Sequence, residues 1–105
     1  MARTIEINGR SGKSYKYWIF EIDYKFKPNQ PGNYIFARET ASRSWKTIYI
    51  GETSDLGEGF DNHEKMPCIR ENGATHIHAH RNKKEQKRLA EAADLIEHWH
   101  PLCND

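Results

Sequence analysis

Apolar and polar residues alternate along several short segments of this sequence, as expected of β-strands with one buried face. Residues 4–7 alternate in this way, and the turn-forming residues 8–13 separate them from a longer alternating segment at 15–26. One face of that longer segment is formed by Trp18, Phe20, Ile22, Tyr24 and Phe26. The pattern predicts an N-terminal β-hairpin, and residues 27–32, which contain Pro and Gly, predict a connector.

Three more strands are predicted farther along the chain. Residues 33–38 and 46–52 should pair as antiparallel neighbours, because the polar loop between them, 39–45, is short. Residues 75–80 alternate strictly and predict the last strand.

Two helices are predicted. Ser54 is a candidate N-cap for a helix over 55–65, although Gly57 and Gly59 each cost such a helix ~1 kcal/mol relative to alanine. The last helix begins where Asn82 and Glu85 resemble a capping box. Its predicted apolar face is formed by Leu89, Ala92, Ile96 and Trp99.

The order of these elements predicts an α+β fold, a small antiparallel β-sheet flanked by helices, with an N-terminal β-hairpin. A chain of 105 residues is short enough for a single domain over 1–105. Within it, the hairpin and connector occupy 1–30 and the core occupies 31–105. Trp18, Trp45 and Trp99 are interpreted as core or sheet-covering residues rather than base-stacking platforms.

The cellular compartment is predicted from two features, the cysteines and the absence of a long apolar segment. No segment is apolar enough to span a membrane or to act as a secretory signal, so a cytoplasmic location without membrane association is predicted. Cys68 and Cys103 lack CxxC spacing and are predicted to be reduced thiols rather than a disulfide or a zinc site. Their spacing does not exclude that they meet in the fold.

The net charge of +1 means that any contact with nucleic acid must come from local basic patches. One cluster surrounds the start of the last helix and consists of Arg81, Lys83, Lys84, Lys87 and Arg88. A second lies near the loop at 39–45 and consists of Arg38, Arg43 and Lys46. Such residues could contact a phosphate backbone without reading sequence, or the first cluster could be a solvated helix face interleaved with Glu85 and Glu91.

Three histidines share one face of the strand predicted at 75–80, namely His76, His78 and His80. Two of them could bind zinc or another metal, with His63 or a carboxylate as a third ligand. Alternation alone favours the simpler interpretation, an exposed polar strand face.

Two strand segments carry a tyrosine close to a glycine, Gly32-Asn33-Tyr34 and Tyr49-Ile50-Gly51. A third block joins residues 91–96 to Pro101 and Asn104. Together they resemble the motifs of the GIY-YIG nuclease family, over about residues 31–104. The resemblance implies a GIY-YIG-like fold and an endonuclease that hydrolyses phosphodiester bonds of nucleic acid, DNA in particular, with Mg²⁺ or Mn²⁺.

The resemblance also implies roles for particular residues. Tyr34, Tyr49 and His63 are implied catalytic residues, whereas the positions of the family's arginine and glutamate hold Gly59 and Ala92. Glu91 is then the best available metal ligand, with Glu52 and Asp94 behind it. Implied nucleic-acid contacts are Arg38, Lys65, Arg81, Lys83, Lys84 and Lys87.

Glycine and alanine at the two altered positions lead to two expectations. The first is a nuclease-like domain whose activity is impaired, because neither residue can offer a cation or a metal ligand. The alternative is a catalytically inactive module that keeps the fold to bind nucleic acid or a protein partner. A histidine-based metal protein is a third expectation.

Overall fold

The protein is described by a computed structural model over residues 3–41 and 44–105, so Arg43 of the predicted loop lies outside the described residues. Five strands run over Arg3–Asn8 (β1), Ser14–Glu21 (β2), Gly32–Ala41 (β3), Ser44–Thr53 (β4) and His76–Arg81 (β5). The helices are Met66–Glu71 (α1) and Glu85–Trp99 (α2), with single 3₁₀ turns at Leu56–Glu58 and Leu102–Asn104. No helix in the described ranges is long and apolar enough to cross a membrane.

All five strands join one antiparallel sheet in the order β1-β2-β5-β3-β4. The predicted N-terminal hairpin is confirmed, since β1 pairs with β2 along its whole length. β5 lies between β2 and β3, with Ile77 opposite Phe20 on one side and Phe36 on the other. The hairpin is therefore part of the main sheet and not an appendage to it.

Alternation along the strands divides the core between two faces of this sheet. On the first face, Phe36 and Ile77 pack with Ile69 of α1. On the second face, Tyr17 and Ile35 pack with residues of α2. Helices therefore cover both faces, and the predicted α+β architecture is confirmed.

The helix predicted over 55–65 is wrong. Only Leu56–Glu58 forms a 3₁₀ turn, and Asp55 rather than Ser54 caps it by accepting a hydrogen bond from the Gly57 N–H. Gly59 follows with φ 77° and ψ −176°, a backbone conformation essentially reserved for glycine. The chain therefore leaves the helical path at this position, and α1 does not begin until Met66.

The strand predicted over 15–26 ends at Glu21. Beyond it, Tyr24 and Phe26 fold back so that their rings lie 4.5 and 5.0 Å from the ring of Phe20. The apolar stripe continues as an aromatic cluster rather than as a strand. Trp18 on this stripe is 41% exposed, so it is not a core residue.

The buried face of α2 also differs from the predicted one. Leu89 and Trp99 are exposed, while Arg88, Glu91 and Leu95 are buried with Ala92. The predicted capping box is absent: Lys84 occupies the N-cap without a side-chain hydrogen bond, and Asn82 donates to Asn33 instead. The charged residues turn inward because each finds a polar partner in the sheet.

The prediction of reduced thiols is wrong, because Cys68 and Cys103 form a disulfide with their Cα atoms 5.8 Å apart. It joins α1 to the turn at Leu102–Asn104. In the same turn, the Asn104 side chain accepts the N–H of Ile50 and donates to its carbonyl oxygen. The C-terminal segment is thereby fixed to α1 and to the edge strand β4.

Candidate functional site

Tyr34 and Tyr49 meet on the first face of the sheet. Tyr34 on β3 lies opposite Gly51 on β4, and Tyr49 lies opposite Phe36, so the two tyrosines are diagonal neighbours. Their rings stack with centroids 6.0 Å apart. A Cβ atom at position 51 would lie 2.6 Å from the Tyr34 hydroxyl, so only glycine permits this arrangement.

His63 completes a cluster with the two tyrosines. Its Nε2 lies 2.8 Å from the Tyr34 hydroxyl oxygen, and its ring is 4.9 Å from that of Tyr49. The Lys65 backbone N–H donates to Nδ1, so the neutral ring carries its proton on Nε2 and donates to Tyr34. The Tyr34 hydroxyl in turn donates to the hydroxyl of Tyr49, so the Tyr49 proton is the one that remains for another group.

Burial changes the acid–base properties of this cluster. It is the main reason that the pKa of Tyr34 lies well above its usual value of 10, with the neighbouring Tyr49 adding to the effect. Desolvation also raises the pKa of Tyr49 and lowers the pKa of His63. At neutral pH the cluster therefore presents two phenol groups and a neutral imidazole, which are hydrogen-bond donors rather than strong bases.

The cluster opens into a pocket of about 550 Å³, here called the tyrosine pocket. Four carboxylates line it, from Glu52, Glu58, Asp61 and Glu64, and no lysine or arginine is found in its described lining. A pocket of this charge repels a phosphate group unless a cation is bound.

The two altered positions lie in different parts of the molecule. Gly59 lines the tyrosine pocket, and no atom lies within 4 Å of a Cβ built there. Ala92 packs on the second face of the sheet with Ile35 and Ile50, away from the tyrosines. The structure thus brings Tyr34, Tyr49, His63 and Gly59 together, and it does not bring Ala92 to them.

Glu91, the predicted metal ligand, also belongs to the second face and is 6% exposed. Its carboxylate oxygen Oε2 accepts a hydrogen bond from the Tyr17 hydroxyl, with the two oxygens 2.5 Å apart. The same oxygen lies 2.6 Å from His80 Nε2. His80 Nδ1 lies 3.0 Å from the carbonyl oxygen of Arg81, so this nitrogen carries a proton and donates it to that oxygen. Glu91 is therefore occupied by two protein partners, and Asp94 likewise accepts from Ser11 and Tyr15.

No metal-binding donor set is formed by the described residues: no three His, Cys, Asp or Glu side chains form a group that could hold an ion. The residues present therefore do not fit a preformed site for Mg²⁺ or Mn²⁺. The remaining predicted ligand, Glu52, pairs with Arg88 at 2.8 Å.

Arg88 is a structural residue that the sequence did not identify. It was predicted to belong to a basic surface cluster, yet it is 4% exposed. Its guanidinium donates to Glu52 and to the backbone oxygens of Asn82 and Lys83. It fixes the start of α2 against β4 and cannot reach a phosphate group in solution.

The other basic residues fall into separate places. Arg81, Lys83, Lys84 and Lys87 are exposed at the end of β5 and the start of α2. Arg38 is exposed on β3 near Gly73, and Lys65 is tied to the backbone oxygen of Asp105 at 2.7 Å. Four exposed cations therefore fall within residues 81–87.

The prediction of an exposed histidine face on β5 is wrong. His76 and His78 are buried on the second face of the sheet, where Trp45 packs against both rings. His76 lies 2.8 Å from the Thr75 hydroxyl, whereas neither nitrogen of His78 has a partner.

No protein-family model, curated protein or solved structure matches this chain.

Proposed function

We propose that this protein is a GIY-YIG-type domain that acts on nucleic-acid phosphodiester bonds, DNA in particular, with impaired cleavage. The observation that carries the proposal is the stacked pair of Tyr34 and Tyr49 in the lining of an open pocket, with Tyr34 hydrogen-bonded to His63. The pair joins the two sequence motifs that carry the resemblance.

The hydrogen-bonding pattern supports binding of an oxygen-rich anion. His63 donates to Tyr34 and Tyr34 donates to Tyr49, which leaves the Tyr49 hydroxyl proton for a further acceptor. Phenols that remain protonated at neutral pH can donate to the non-bridging oxygens of a phosphate. In this role they orient the phosphodiester for attack by water.

The charge of the pocket explains why cleavage is impaired. A cation is needed to offset the charge that grows on the phosphate, and Gly59 supplies none. Glu52 is paired with Arg88, and the other three carboxylates, from Glu58, Asp61 and Glu64, raise the cost of bringing a phosphate to the tyrosines. Losing one electrostatic contributor typically slows a reaction by ~10²–10³.

A catalytically inactive interaction module is the second candidate function. It is favoured by one specific observation, the separation of the tyrosine pocket from the described cationic residues at 81–87. In such a module the basic segment would bind nucleic acid or a protein partner, and the tyrosine cluster would only support the fold.

The experiment that tests the proposal is nicking of supercoiled plasmid, with Mg²⁺ and with Mn²⁺, followed over time. We expect slow nicking that Tyr49→Phe lowers by roughly tenfold or more, because the phenol donor is lost. Tyr15→Phe is the matched control: it removes a hydroxyl that bonds Asp94 instead and should leave nicking unchanged.

The same experiment can test for a gain of activity, by reversing the charge of one residue in the lining of the tyrosine pocket. An arginine at position 59 would require a different turn, so Glu58→Arg supplies the cation from an exposed neighbouring position of the pocket lining. We expect it to raise nicking by roughly tenfold, while Glu71→Arg on α1 should not. Absence of nicking by both the chain as written and Glu58→Arg would contradict cleavage and favour the inactive module.

A further inference from the structure

A second open cavity, of about 510 Å³, lies on the first face of the sheet. We call it the aromatic groove; its lining includes Trp18, Phe20, Tyr24 and Phe26 together with Lys16 and Arg81. Its size falls within the range of about 300–1,000 Å³ typical of ligand clefts. The buried strand residues that pack with α1 on this face belong to β3, β4 and β5. From β2, Phe20 packs against them, while Trp18 remains exposed.

The aromatic side chains of the groove are held in place but accessible. Trp18 is 41% exposed and Tyr24 is 50% exposed. Phe20 lies beneath Tyr24 with ring centroids 4.5 Å apart, and Phe26 packs edge-on against both. Rings that are fixed by packing offer flat apolar surfaces without the entropy cost of ordering them on binding.

The charge of the groove complements a phosphate backbone. Its described lining carries the side chains of Lys16 and Arg81, and no carboxylate. The Lys16 ammonium lies 5.0 Å from the centre of the Trp18 ring, so a positive charge is fixed beside an aromatic surface. The tyrosine pocket has the opposite composition, with four carboxylates and no lysine or arginine in its described lining.

We infer that the aromatic groove binds single-stranded nucleic acid, with bases stacked on Trp18 and Tyr24 and phosphates beside Lys16 and Arg81. A flat sheet surface that combines exposed rings with basic side chains suits unpaired bases, whose faces are open to stacking. A duplex hides those faces. An apolar peptide would gain nothing from Lys16 and Arg81. This site is independent of cleavage at the tyrosines.

The binding test uses a fluorescein-labelled oligo(dT) of 16 nucleotides and fluorescence anisotropy, in EDTA so that no strand is cut. We expect Trp18→Ala to weaken binding by roughly 5- to 150-fold, the effect of losing about one stacked base. Trp99→Ala is the matched control, because Trp99 is similarly exposed, at 45%, but lies on α2 outside the groove. Thermal unfolding of both variants verifies that they fold.

The salt dependence tests the role of the two cations. Two phosphate contacts predict that log Kd rises with log salt concentration with a slope of about 1.4. Lys16→Gln and Arg81→Gln should each reduce this slope by about 0.7, while Arg10→Gln, at an exposed position in the β1–β2 turn, should not.

Three results would overturn the inference: unchanged affinity in folded Trp18→Ala, an equal loss in Trp99→Ala, or tighter binding of a 16-base-pair duplex than of the single strand. Each can be told apart from failure of the proposed cleavage. Binding in EDTA does not require the tyrosine pocket, and nicking that depends on Tyr49 could persist without the groove.

Discussion

At the scale of single residues, His78 is the least satisfied group in the described chain. It is 1% exposed, and neither ring nitrogen has a hydrogen-bond partner. Burial, followed by the positive charges of His76 and Arg3, lowers its pKa from 6.5 to about 4. The folded protein therefore holds His78 as a neutral ring that packs edge-on against Trp45.

This burial predicts a loss of stability in mild acid. The unfolded chain takes up a proton at His78 near pH 6.5, whereas the folded chain resists protonation until about pH 4. The contribution of His78 to the free energy of unfolding is therefore fully present above pH 6.5, and it falls by about 3 kcal/mol as the pH drops to 4. Urea unfolding at a series of pH values measures this change in the free energy of unfolding.

A substitution isolates the effect of His78 from that of the carboxylates. His78→Phe keeps a flat ring in the site. Between pH 6.5 and 4, the free energy of unfolding of this variant should fall by about 3 kcal/mol less than that of the unmodified chain. His98→Phe, at an exposed position of α2, serves as the control and should follow the unmodified chain. Identical pH profiles for all three proteins would contradict a buried neutral His78.

At the scale of the elements, the disulfide stabilises the junction between α1 and the C-terminal turn. It links residues 35 positions apart in sequence, and closing a loop of this size typically contributes ~2–4 kcal/mol. α1 has only six residues and would be marginal by itself. We expect a reductant to lower the melting temperature by roughly 10 °C or more, as measured by circular dichroism.

The control for the disulfide is a chain without thiols. The double variant Cys68→Ala and Cys103→Ala should melt near the temperature of the reduced protein and should not respond to reductant. Equal melting temperatures of the oxidised and reduced chains would show that α1 is held by its apolar contacts alone, through Met66 and Ile69.

The elements also show how far the sequence alone leads. Alternation identified β1, β2 and β5, because a half-buried strand repeats every two residues, and the short connection between residues 33–38 and 46–52 predicted the pairing of β3 with β4. The burial of Arg88 and Glu91 could not be predicted, since their partners Glu52 and Tyr17 lie 36 and 74 positions away. Propensity places such residues on a helix surface, and only tertiary hydrogen bonds reverse this.

The candidate site was likewise predictable from the sequence only in part. Tyr34 and Tyr49 lie together, as strand parity allows, because the sheet register follows from a short hairpin. The acidic lining of the pocket was not predicted, because Glu58, Asp61 and Glu64 belong to a segment expected to be helical. An irregular turn has no periodicity from which the direction of its side chains can be derived.

At the scale of the whole molecule, the hairpin and the remaining core share one sheet. The aromatic groove is built from both parts, since Lys16 and Trp18 come from β2 and Arg81 comes from β5. The two apolar clusters lie on opposite faces of that sheet, so neither persists if the strands separate. We therefore expect a single cooperative unfolding transition.

Removal of residues 1–30 tests this view of the molecule. Residues 31–105 contain all the sequence motifs, yet without β2 they leave β5 as an open edge and remove the buried Tyr17 and Ile7. Burial of each of these side chains contributes about 1.5–3 kcal/mol, and a small domain has only about 5–15 kcal/mol in total. We expect the shortened chain to lack a folded NMR spectrum and a cooperative melt. Tyr17→Ala in the full chain is a milder version and should cost about 3–5 kcal/mol. A shortened chain that melts at the temperature of the full protein would mean that the hairpin only decorates an independent core, and the aromatic groove would then be separable from the tyrosine pocket.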